Sequence, residues 1–158
     1  MIDPRLRPEI ASTMTKILLV EDSKFMRIAT ERALARAGYE VTTAIDGEHA
    51  LESARLMRPD LILLDLLLPR LSGQDVLKAL KGNSSTASIP VVILSSMSEK
   101  NADRLHRDGA FAFLGKEALA LDKGSGALLT VLAGILRDLG LAVPPPALPA
   151  AGHPYSHR

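Results

Sequence analysis

Leu61, Ile62, Leu63 and Leu64 run without a polar break into Asp65, and Leu66, Leu67, Leu68 and Pro69 follow. A short apolar run of this kind, with Pro59 before it and Pro69 after it, reads as a strand covered on both faces, as in parallel sheets flanked by helices. A carboxylate at the end of such a strand is costly unless a cation or N–H donors meet it. The chain must therefore supply helices for both sides of this strand and a partner for Asp65.

Lys16 to Val20 form a second short apolar run, ending in Glu21 and Asp22. Ser23 fits a helix N-cap, and Phe25, Ile28, Ala29, Arg32 and Ala33 continue a helical repeat that Gly38 closes. Residues 39–44 read as a strand. Asp46-Gly47 then turns the chain into a helix over about 47–56, with Ala50, Leu51 and Ala54 facing inward, and Arg58-Pro59 stops it. Beyond Asp65 the pattern predicts a helix over 71–80 that ends near Gly82, a polar loop over 83–88, and a buried strand over 91–94 ending in Ser95. A polar helix over about 99–107, a strand over 110–114 followed by Gly115-Lys116, and a helix over 126–139 complete the series. Residues 1–14 read as a flexible arm, with Met14 a candidate initiator. Residues 15–140 form the folded domain, and 141–158 read as a Pro/Ala-rich disordered tail.

Strand and helix alternate five times, which specifies an α/β chain with a parallel sheet and right-handed crossovers. Five strands suit a doubly wound, flavodoxin-like order 2-1-3-4-5 in a three-layer α/β/α sandwich. Its ligand site lies beyond the strand ends, between strands one and three. That order brings Glu21, Asp22, Asp65, Ser95 and Lys116 to one edge. At 158 residues and 47% apolar composition the chain can bury a core without disulfides, and it has no Cys. A net charge of +1 gives no field suited to nucleic acid or a membrane surface. No apolar run approaches the roughly 18 residues of a membrane span, and the first residues lack a secretory signal, so a cytoplasmic location is expected.

Three carboxylates at one edge repel unless a cation joins them. Hard oxygen donors with room for water suit Mg2+, which commonly takes one or two carboxylates together with phosphate oxygens. A carboxylate that attacks phosphorus forms an aspartyl phosphate. The sequence has neither GxxxxGK[ST] nor GxGxxG, so a nucleotide is not expected to be the direct phosphodonor.

Over about residues 15–139 the chain resembles the receiver domain of two-component response regulators, the family that includes single-domain chemotaxis receivers. The match comprises Glu21-Asp22, Asp65 with Pro69 and Gly73 beyond it, Ser95, Phe113 and Lys116, in order. The resemblance implies that Asp65 is the phosphoacceptor. It implies that Asp22 binds Mg2+ directly and Glu21 through water, with Asp65 and the Leu67 carbonyl as further ligands. Ser95 would hydrogen-bond the phosphoryl group, Lys116 would pair with its charge, and Phe113 would be the switch aromatic. One departure stands out: Glu117 occupies the position after the lysine where the family usually has proline.

The implied function is that of a stand-alone receiver. A sensor histidine kinase or phosphotransfer protein would phosphorylate it, and it would signal to a downstream protein through altered contacts, without being an enzyme in its own right. The alternative is a degenerate receiver that binds a protein partner independently of phosphorylation. An Mg2+-dependent phosphatase working through the same intermediate would need an acid two residues after the nucleophile, where this chain has Leu67. Leu67 and Met97 instead flank the site with apolar groups, which predicts a long-lived phosphoryl group. In the last helix Leu128, Val131, Leu132, Ile135 and Leu139 make an inward stripe. Leu129, Ala133 and Leu136 make a second one, a candidate surface for a homodimer or another partner.

Overall fold

The computed structural model describes residues 14–95, 102–115 and 126–145. Five strands, β1 (Lys16–Val20), β2 (Glu40–Ala44), β3 (Leu61–Asp65), β4 (Val91–Ser95) and β5 (Ala112–Gly115), form one sheet in the order β2-β1-β3-β4-β5. Every neighbouring pair is parallel. Between them run α1 (Lys24–Arg36), α2 (Gly47–Met57), α3 (Gly73–Gly82) and α4 (Ala102–Arg107), and α5 (Gly126–Asp138) follows β5. This is the doubly wound arrangement expected from the alternation of apolar runs and helical repeats.

Strand periodicity divides the core in two. Leu18, Val20, Ile62, Leu64 and Ile93 point to the side covered by α2, α3 and α4, where they meet Ala54, Leu77 and Leu105. Ile17, Leu19, Leu63, Val92 and Leu94 point to the other side, where they meet Leu34 of α1 and Leu128, Leu132 and Leu136 of α5. β3 lies in the middle of the sheet, and all five of its residues are buried.

Several boundaries and faces differ from the expectations. Phe25 is 73% exposed, and α1 instead buries Thr30 and Leu34. Ser23 caps α1 by accepting from the Met26 N–H, and this fixes the rotation of the helix. α3 begins at Gly73 rather than residue 71, because Ser72 caps it by accepting from the Asp75 N–H. β5 starts two residues late because the Ala110 N–H is engaged by the Leu105 carbonyl at the end of α4. In α5 Val131 is 39% exposed and Leu136 is fully buried, the reverse of their expected faces.

Leu136 shares the sheet-facing row with Leu128 and Leu132, and the chain turns directly after α5. Gly140, in the left-handed region at φ +73, lets the Leu141 N–H reach back to the Leu136 carbonyl at 2.8 Å and its own N–H reach the Arg137 carbonyl at 3.0 Å. This Schellman closure brings Leu141 against Leu136 and turns the chain along the bundle. Residues 141–145, expected as the start of the disordered tail, instead pack on the α1/α5 side, with Leu141 and Val143 against the core. Thr15 Oγ1 donates to the Ala142 carbonyl and ties this segment to the start of β1.

Candidate functional site

Glu21 directly follows β1, Asp65 ends β3 and Ser95 ends β4, so the parallel register delivers all three to the carboxyl edge of the sheet. The Glu21 N–H donates to the Ala44 carbonyl at 3.0 Å, which carries the β1–β2 pairing one residue further. Glu21, Asp65 and Ser95 are 2%, 1% and 0% exposed, while Asp22 faces solvent. One carboxylate oxygen from each of Glu21, Asp22 and Asp65 lies within 4.8 Å of the others.

The surrounding backbone holds these groups. Ser23 N–H donates to Glu21 Oε2 at 3.2 Å, and Leu67 N–H donates to Asp65 Oδ1 at 3.1 Å, fixing the rotation of each carboxylate. Arg27 Nη1 donates to the carbonyls of both Glu21 and Asp22, at 3.1 and 3.2 Å, and so clamps the β1–α1 loop from the first turn of α1. Gly73 N–H donates to the Leu66 carbonyl at 3.0 Å. A Cβ on Gly73 would lie 2.5 Å from the Asp65 carbonyl oxygen and 2.6 Å from Leu66 Cα, so only glycine fits under this loop. Asp46 caps α2 through Oδ1, which accepts from the His49 N–H at 2.8 Å. Its Oδ2 pairs with Arg70 Nη2 at 2.9 Å, joining the β2–α2 and β3–α3 loops beside the site.

The donor set fits a divalent hard cation. An octahedral Mg2+ at about 2.1 Å from each ligand spaces its donors by roughly 3 to 4 Å, which the cluster meets with small side-chain rotations. Asp22, being exposed, leaves room for the waters that Mg2+ retains.

Among the other residues singled out by the sequence, Phe113 is half-buried in β5 and packs on the core beneath α3 and α4. In the strand register Phe113 lies opposite Ile93, and Ser95 lies opposite Gly115. Leu67 is 57% exposed beside the carboxylates. Lys116, Glu117 and Met97 lie outside the described residues. Leu129 and Ala133 are half-buried and line a cleft between α1 and α5, whereas Leu136 is core and belongs to no surface stripe. The sequence reading missed Arg27, whose position four residues after the Ser23 cap places it one turn into α1, facing back to the loop. It also missed the Arg70–Asp46 tie, which has no pattern in the sequence.

A doubly wound sheet with a tight cluster of acids at its switch point has the architecture in which a ligand or cation sits beyond the strand ends. The model of the response regulator receiver domain matches residues 17–122, and the chain belongs to that family. It is similar to protein PilG of Pseudomonas aeruginosa, 40% identical over 81 residues that cover 51% of this chain and 60% of PilG. It is equally similar, at 40% over 114 residues, to a gliding motility regulatory protein of Myxococcus xanthus, covering 71% of this chain and 14% of that protein. The chain thus spans less than two thirds of the length of these relatives. Among solved structures, the chemotaxis response regulator CheY4 of Vibrio cholerae superposes with a TM-score of 0.70 at 32% identity, covering 78% of this chain and all of that one. The phosphorylated cyanobacterial phytochrome response regulator RcpA gives 0.63 at 32% identity, covering 78% and 92%.

Receiver domains are signalling domains that bind Mg2+ at an acidic pocket and interact with histidine kinases or phosphotransfer proteins and with downstream targets. Among the described residues no helix is long and apolar enough to cross a membrane.

Proposed function

We propose that Asp65 is the phosphoacceptor of this receiver and that its phosphorylation changes the protein's contacts with a downstream partner. The observation that carries this reading is the 1%-exposed Asp65 carboxylate, held by the Leu67 N–H within 4.8 Å of acid oxygens of Glu21 and Asp22. Mg2+, when bound, would neutralise the acids and draw charge from the transferring phosphoryl oxygens. Asp22 and Asp65 would hold it directly and Glu21 through water, with the Leu67 carbonyl as a further ligand.

The chain's own residues do the rest. The Leu67 N–H orients the Asp65 carboxylate, and one of its oxygens forms a bond to phosphorus as the donor's bond to phosphorus breaks. With a phosphohistidine donor the electron pair of the P–N bond returns to the imidazole. Ser95, one strand over at the end of β4, offers a hydroxyl to the phosphoryl group, and Lys116 offers a charge. Movement of Ser95 toward the phosphate would free space for Phe113 in β5, a two-state change in packing that a partner can read. The phosphodonor is a histidine kinase or a phosphotransfer protein, and the output is protein contact in the cytoplasm.

Intact mass after incubation with acetyl phosphate, with and without Mg2+, tests the reading. The wild type gains one phosphoryl group only with Mg2+, and Asp65→Asn gains none. Absence of any gain would replace this reading with a phosphorylation-independent binding module, for which Glu117 in place of proline would be the feature to explain.

A further inference from the structure

A cleft of about 560 Å³ opens on the side of the molecule covered by α1 and α5, its outer wall formed by the returning segment 143–145. Its apolar lining comes from Ala33 and Ala37 of α1, Leu129 and Ala133 of α5, and Val143 and Pro144. The wall is held in place by the Gly140 closure, by the Thr15–Ala142 hydrogen bond and by the close packing of Pro144 on Gly38. The volume lies within the range of small-molecule pockets, roughly 300–1,000 Å³.

The polar groups of the cleft are unbalanced. Its charged residues are Arg36 and Arg137, and no carboxylate lines it. Arg137 and Arg36 stand in the last turns of their helices, where a cation also suits the helix dipole. Among the described residues, however, neither makes an ion pair or a side-chain hydrogen bond. Tyr39 lines the cleft with them; the residue as a whole is only 4% exposed, and its hydroxyl, which makes no hydrogen bond among the described residues, reaches solvent. Burial raises the Tyr39 pKa and the positive charge of Arg137 pulls it back, so the guanidinium acts on the phenol. Both guanidinium groups are solvent-exposed and, with the phenol O–H, offer donors at the cleft, where the Thr130 hydroxyl is the one other polar side-chain group of the lining. A carboxylate supplies only acceptors, in the fork geometry that guanidinium matches.

We infer that this cleft binds a small amphipathic carboxylate, its head on Arg137, Arg36 and Tyr39 and its apolar body against Ala33, Ala133, Leu129 and Pro144. The site lies on the sheet face away from α2, α3 and α4 and is independent of chemistry at Asp65.

Titrating the full chain with decanoate and, separately, with decanol tests this, read by amide chemical shifts. Decanoate is expected to give saturable shifts confined to residues around Tyr39, Ala133 and Val143, and decanol to bind at least tenfold more weakly. Arg137→Gln should lower decanoate affinity about tenfold and leave decanol unchanged. Ala133→Leu, which fills the cleft, should abolish binding of both, and melting curves show whether each variant is folded. Equal affinity for the two probes, or shifts that survive Ala133→Leu, overturns the inference. So does an absence of saturable binding to the full chain. If decanoate then binds a chain shortened after Pro145, the cleft is occupied by the chain's own following residues. If the full chain sediments as a dimer that Ala133→Leu dissociates, a second copy is the occupant.

Discussion

Gly38 and Pro144 approach so closely that a Cβ on Gly38 would lie 2.8 Å from the proline Cβ. Gly38 also holds φ +103, a conformation an L side chain adopts only under strain. Gly38→Ala should therefore lower unfolding stability by about 1–3 kcal/mol in urea titrations. Adding Pro144→Gly, which removes the Cβ that is met, should recover the part due to the collision and leave the backbone strain. Additive losses in the two variants would mean that the two residues do not press on each other.

Gly73 supports the acceptor loop from below, and the atoms a methyl group would meet are backbone. Backbone cannot yield as a flexible side chain does. Gly73→Ala should displace Asp65 and Leu66, cutting the rate of labelling by acetyl phosphate at least tenfold and costing about 1–3 kcal/mol of stability. Labelling at the wild-type rate would show that the loop shifts without disturbing the carboxylate.

How much of this was legible in the sequence depended on whether a residue's job leaves a pattern. The apolar runs ending in Glu21, Asp65 and Ser95 announced three buried parallel strands, and parallel pairing alone then brought their ends together. The inner face of α1 was misread because Thr30, a polar residue, occupies a buried position and blurs the stripe that Leu34 continues. Leu136 was misplaced because it continues Leu128 and Leu132 at a spacing of four on the face turned to the sheet, whereas the expected inward stripe left that row for Val131 and Ile135. The proline-rich composition after Gly140 does favour extended backbone. It carries no sign that such a segment will dock, since docking depends on the Tyr39 and Gly38 surface elsewhere in the chain. Arg27 makes its contacts through backbone carbonyls, which every residue has, so no partner type could betray it.

The Arg27 clamp makes a prediction of its own. Its guanidinium bonds hold the carbonyls of Glu21 and Asp22 and thereby the spacing of two acids. Arg27→Gln should weaken Mg2+ binding about three- to tenfold, the scale of one to two partly exposed hydrogen bonds. Arg27→Lys should recover part of that loss. Isothermal titration with Mg2+ checks this, and an unchanged affinity in the glutamine variant would remove Arg27 from the site.

Tyr39 sets an alkaline limit. Burial raises its pKa above the ordinary 10.0, with Arg137 opposing. The folded protein therefore keeps the phenolic proton to higher pH than the unfolded chain does. The stabilisation is fully present below about pH 10 and is lost as pH rises through the raised folded value. Urea unfolding of Tyr39→Phe at pH 9 to 11 should show a shallower decline than the wild type. Parallel declines would assign the alkaline loss to other groups.

Leu67 is half-exposed beside the carboxylates and has no group that could orient a water molecule. Leu67→Asn should shorten the lifetime of the Asp65 phosphoryl group several-fold, followed by the decay of intact mass after the donor is removed. A short lifetime already present in the wild type and untouched by the substitution would contradict this.

The hydrogen bond from Thr15 to Ala142 joins residues 127 positions apart. It therefore places the start of β1 beside the segment that follows α5, at the amino-terminal edge of the sheet. That edge is separated from the acids by the length of a five-residue strand, roughly 16 Å. A fluorophore or affinity handle attached at either point would hang from the side remote from the chemistry. A linker of a few residues between the two points would close the chain into a ring, which could be reopened at a different loop to give a permuted molecule with the acid cluster intact.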